Sequence, residues 1–193
     1  MGLIDILRGE RRPKRADLDR IFALSTAEPT LSVNLGLAPS HRAGVCFKPV
    51  QMARFEELVR DLDQLLELSG RSTGTTVRRS QDELGFTWVV LEDEHFEDLV
   101  TTVHLVNQTI EEQGFSEQLL CSVFGFRGDG GPVYLVYAYK RATFYPFIPR
   151  GERARDNAAE LRLQASLARE LPMEPELERW YPVWGVPLGD APA

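Results

Sequence analysis

Eight residues in two separate stretches stand out for what they could bind. Lys140, Arg141, Phe144, Tyr145 and Phe147 lie in one, and Trp180, Tyr181 and Trp184 lie near the end of the 193-residue chain. Tyr and Trp join a rigid apolar body to a polar edge, which favours them at protein interfaces. The set therefore suits recognition of a partner. It also suits a tail that folds back over a sheet and fills its core with rings. Both readings hold together if the tail buries one face and leaves Tyr145 or Trp184 at the rim.

Nothing comparable points to catalysis. The chain has no GxxxxGK[ST] or GxGxxG to cradle phosphate, no GxSxG elbow, no HExxH and no CxxC. His41, His95 and His104 include no pair at the i, i+4 spacing of a metal-binding helix face. His104, beside an apolar helix face, reads as structural. Carboxylates are numerous but fall on helix surfaces. We expect a non-enzymatic protein with no catalytic residue, no cofactor and no metal site. Cys46 and Cys121 sit in apolar runs and read as buried free thiols. A disulfide between them would require neighbouring strands of suitable geometry. Asn107 falls on the inward face of a helix, so its amide is expected to fix a strand or loop by hydrogen bonding.

With 29 acidic against 22 basic residues the net charge is −7, which argues against general nucleic-acid binding. No apolar run approaches the roughly 20 residues of a membrane span, and the N-terminus lacks the order of a signal peptide. We expect a cytoplasmic chain. Residues 1–15 form an amphipathic segment of their own, in which Leu3, Ile4, Ile6 and Leu7 precede Arg8, Arg11 and Arg12. An apolar face beside a basic cluster suits peripheral contact with an anionic inner-membrane surface. A frayed end, or a helix docked on the domain or on a partner, has the same composition.

Residues 16–193 read as a single α+β domain that includes the aromatic, proline-rich tail. Asp17 to Leu24 predicts a helix ended by Pro29, and Leu31, Val33 and Leu35 alternate like a strand. Gly44 to Val50 predicts a strand. Apolar residues at spacings of three and four predict a long helix over 51–68. Strands follow at 75–80 and 86–91, the second apolar on both sides and therefore interior. A second long helix spans 94–113, with Phe96, Leu99, Val100, Val103, Val106 and Ile110 inward. Two strands then flank Arg127-Gly128-Asp129-Gly130-Gly131, a hairpin signal. Residues 150–171 predict a third helix, with Leu161, Ala165 and Ala168 inward. The order β-α-β-β-α-β-β-α predicts an antiparallel β-sheet with two long helices on one face, plus the C-terminal helix and tail closing the domain. Such an order is ferredoxin-like or, read from the first long helix, secretion-chaperone-like.

Several local runs share one resemblance. They are MGLIDILRG, Leu18 to Leu24, Gly44-Val45-Cys46-Phe47, Gly85-Phe86-Thr87-Trp88, Gln118 to Ser122, Tyr139-Lys140-Arg141 with Phe144 to Phe147, Arg155-Asp156-Asn157, and Trp180 to Gly185. Together they resemble the phage-shock-protein-A-associated proteins of AB type over nearly the whole chain. That resemblance implies a link to the phage-shock system, in which a coiled-coil membrane-remodelling protein answers envelope stress. It brings no catalytic residues with it. The function expected is a non-enzymatic adaptor for the phage-shock coiled-coil protein or the inner-membrane surface. The alternatives are a small-ligand binder or enzyme with a pocket between sheet and tail, and a homodimer joined through the aromatic surface.

Overall fold

The computed structural model describes residues 18–48, 60, 74–151 and 153–189. The amphipathic segment 1–15 and the helix expected over 51–68, Arg60 apart, lie outside the described residues. Among those described, six strands form one antiparallel sheet. They are β1 (Ala38–Phe47), β2 (Thr76–Gln81), β3 (Thr87–Glu92), β4 (Leu119–Gly128), β5 (Gly131–Ala138) and β6 (Thr143–Phe147). The spatial order is β2-β3-β1-β4-β5-β6. The connection from β1 to β2 skips β3, and the one from β3 to β4 skips β1. This is the split β-α-β arrangement of ferredoxin-like folds, extended here by the hairpin strands β5 and β6. The expected α+β class and antiparallel sheet are thus observed.

Alternation along the strands divides the apolar residues between two faces. Val45, Val89, Leu91, Phe124, Leu135 and Tyr137 join one buried cluster. Cys46, Trp88, Val90, Val123, Val136, Tyr145 and Phe147 join the other. Helix α2 (Phe96–Glu112) covers the first face with Leu99, Val100, Val103, Val106 and Ile110, as its spacing predicts. Asn107 on that face donates from Nδ2 to Ser122 Oγ on β4 at 3.4 Å, and Ser122 also bonds the Tyr139 hydroxyl. The hairpin between β4 and β5 turns on Asp129-Gly130, as predicted.

Two local expectations change. The segment expected to end at Pro29 and resume as a strand is one helical run, from Leu18–Phe22 through α1 (Ala23–Pro29) to Thr30–Asn34. Pro29 removes a donor without breaking the run, because the next turn widens and Leu35 N donates to Thr30 O. Leu31 is buried and Val33 is 81% exposed, so the apparent alternation is helical and not β. Gly36, at φ +64°, then ends the run. Helix α3 (Asn157–Leu167) is shorter than the span 150–171 expected, because Pro149–Arg150 and Ala154–Arg155 pair as a small hairpin before it, and it presents a different face. Leu163 and Leu167 are buried, whereas Leu161, Ala165 and Ala168 face solvent.

Candidate functional site: the cleft between sheet and tail

Helices cover one sheet face, and the C-terminal tail covers the other. Helix α3 sets the course of that tail. Asp156 caps it by accepting from Ala159 N at 2.9 Å. That bond, with Arg150 beside it, holds the Asp156 carboxyl below its ordinary range. Glu160, 1% exposed, accepts from Arg155 Nε at 2.8 Å and from Ile148 N at 2.7 Å. The same guanidinium donates to Trp180 O at 2.8 Å and lies 5.3 Å over the Phe147 ring. One buried charge pair therefore ties helix, sheet and tail together. After α3 the chain passes the β6 edge, where Phe144 N donates to Pro172 O and Glu174 N to Phe144 O. This contact covers an otherwise open strand. Trp180 then stacks on Tyr145 with 6.4 Å between ring centroids, and the Tyr145 hydroxyl donates to Tyr181 O at 3.0 Å.

Between this tail and the β2–β3 turn a cavity of about 620 Å³ remains open. That volume lies within the range of about 300–1,000 Å³ typical of small-molecule sites. Buried Cys46, Trp88, Cys121 and Tyr145 form its floor. Phe86, Leu120 and Trp184 make its walls. Trp88 lies flat on β1 because Gly44 has no side chain there: a Cβ would stand 3.1 Å from the indole. Asp82 organises the turn, accepting from Leu84 N, Phe86 N and Trp88 Nε1 at 2.9–3.0 Å.

The rim is cationic. Arg141 Nε and Arg179 Nη1 each stand 3.6 Å from the buried carboxylate of Glu174, and Arg179 also meets Glu176 at 2.7 Å. Lys140 is exposed and, among the described residues, has no carboxylate partner. Leu84, 81% exposed, and Tyr181, 63% exposed, place apolar surface beside these charges.

The floor is chemically quiet. Cys46 and Cys121 are paired in register across β1 and β4, and both are free thiols. A hydrogen bond to Cys121, then burial, then the nearby Asp82 charge raise the Cys46 pKa far above its ordinary value. The reactive thiolate is correspondingly disfavoured. Burial likewise keeps the Tyr145 hydroxyl protonated. The arrangement offers apolar contact below and positive charge above.

Of the eight residues singled out in the sequence, Lys140, Arg141, Tyr145, Tyr181 and Trp184 meet at this cavity. Phe144 points to the helical face and packs on Tyr137. Phe147 is core beneath the tail, edge-on to Trp184 at 4.9 Å, and Trp180 is 6% exposed. Phe147 and Trp180 hold the tail down, Phe144 fills the core under the helices, and all three rings are buried. Sequence reasoning left Asp82, Trp88 and Arg179 out of the site. Only pairing in space brings them in, although Asp82-Glu83-Leu84-Gly85 signalled the turn.

No described helix is long and apolar enough to cross a membrane. No curated protein and no solved structure matches the chain. A family model does match it, over residues 1–188, and the chain belongs to the family described as PspA associated protein B.

Proposed function

We propose that this protein is a non-enzymatic adaptor that binds a phage-shock coiled-coil protein through the mouth of the cleft. The family description gives the association with PspA, and one structural observation supports the choice of surface. Leu84 and Tyr181 are large, exposed apolar side chains on either side of an opening rimmed by Lys140, Arg141 and Arg179. A helix with one apolar stripe and flanking acidic residues is the complement of such a surface. The apolar and basic composition of residues 1–15 supports a second contact, with an anionic membrane surface, made by a different part of the chain.

The test is a pull-down of the PspA-like protein from the same genome with three forms of the chain. These are the full chain, the chain lacking residues 1–15, and full-length Tyr181→Ala. Capture that survives the deletion and falls with Tyr181→Ala is the expected result. Capture lost only with the deletion would move recognition to the terminal segment. Failure of every form to capture would overturn the adaptor reading.

A further inference from the structure

We propose that the cavity between sheet and tail binds a single-chain amphiphile with an anionic head group. The inference does not depend on the partner proposed above. The interior is lined by aliphatic and aromatic side chains and by the two free, buried cysteines. An apolar chain can replace water there without stranding a charge. The one carboxylate in the lining, Asp82, already accepts three hydrogen bonds and anchors Trp88. It therefore offers little to a cationic ligand.

The charges capable of fixing a head group are all positive and all at the opening. Lys140 is uncommitted among the described residues, and Arg141 and Arg179 share Glu174 at 3.6 Å, longer than a direct hydrogen bond. An arriving carboxylate or phosphate finds two donors, Lys140 and Arg141, that need only small side-chain movements, while Arg179, paired with Glu176 at 2.7 Å, stands beside them. In a chain of net charge −7, this concentration of cations above an apolar chamber selects for ligand charge. The three tryptophans surround the site: Trp88 and Trp184 line it, and Trp180 stacks on the Tyr145 that forms its floor. Intrinsic fluorescence therefore reports occupancy directly.

The experiment titrates the full-length protein, without any partner, with dodecanoate, dodecyl phosphate, dodecanol and dodecyltrimethylammonium below their micelle concentrations. Tryptophan emission is read, and titration calorimetry repeats the measurement. Saturable binding of one or both anions, at least about tenfold tighter than the alcohol and the cation, is expected. The tighter of the two anions identifies the head group as carboxylate or phosphate. Lys140→Glu should weaken the anion about fivefold or more and leave the alcohol unchanged. Ala138→Phe, which fills the chamber from β5, should weaken all four ligands. Absence of saturable binding would overturn the proposal. So would equal affinity for anion, alcohol and cation, or anion binding that neither substitution alters. Since no coiled-coil protein is present, failure here is separate from failure of the adaptor reading.

Discussion

Cys46 and Cys121 stand directly opposite each other on β1 and β4, in the floor of the cleft, and remain two free thiols. Their hydrogen bond and their burial oppose ionisation of Cys46. Cys46 therefore behaves as apolar lining and not as a nucleophile. The thiolate is the reacting species, and its fraction falls tenfold for each unit of pKa rise. Cys46 in the native protein at pH 8 should thus react with a maleimide at least about 100-fold more slowly than a free thiol. Unfolding in urea should restore the ordinary rate at Cys46. Mass spectrometry of timed samples reads the result, and rapid native labelling of Cys46 would contradict this picture of the floor.

The Arg155–Glu160 pair is the second structural commitment. Replacing Arg155 with Met strands a carboxylate that is 1% exposed and releases Trp180 O. A loss of about 3–5 kcal/mol is expected in urea unfolding, as for other broken buried pairs. Glu160→Gln should cost less, because its side-chain oxygen can still accept from Ile148 N. Equal, negligible effects would mean that the tail is held by its rings alone.

Much of the framework was legible in the sequence. The α2 face, the interior strand β3 and the Asp129-Gly130 hairpin all carry strong local periodicity or turn chemistry, and each forms where the pattern predicts. Helix α3 forms inside its predicted span but turns a different face inward, because its apolar residues are sparse and small. Leu161 with Ala165 and Ala168 competes as a stripe with Leu163 and Leu167. The buried Glu160, held by Arg155, together with Leu163 and Leu167 sets the rotation of the helix. Leu163→Ala should accordingly cost about 2–3 kcal/mol, and Leu161→Ala no more than about 0.5 kcal/mol. Denaturant midpoints of the two variants check the assignment. The run from Leu18 to Asn34 misled for a different reason: Pro29 is a strong local stop signal, yet a widened turn accommodates it. The cleft was legible only in part. Its aromatic and basic residues could be listed from the chain, but their meeting with Asp82, Trp88 and Arg179 depends on strand order and on the course of the tail.

Asp156 gives the fold a defined acid sensitivity. Its carboxyl is held below the ordinary range by the Ala159 N–H and by Arg150. A depressed folded-state pKa means that the contribution is fully present above the ordinary carboxylate range. It is lost as pH falls through the folded-state value. Stability measured between pH 7 and pH 2 should therefore fall at the acid end, and part of that fall should vanish in Asp156→Asn, which keeps a capping oxygen. Identical acid limbs in the two proteins would show that this cap does not contribute.

The most direct test of the adaptor account is titration calorimetry of the full-length protein with the PspA-like coiled-coil protein of the same genome. The comparison is with the double variant Lys140→Glu/Tyr181→Ala and with Leu161→Ala, whose side chain is on a helix of the opposite face. The account predicts saturable binding by the wild type, a loss of about tenfold or more in the double variant, and no change in Leu161→Ala. Wild-type binding that the double variant leaves intact, or no binding at all, would contradict it.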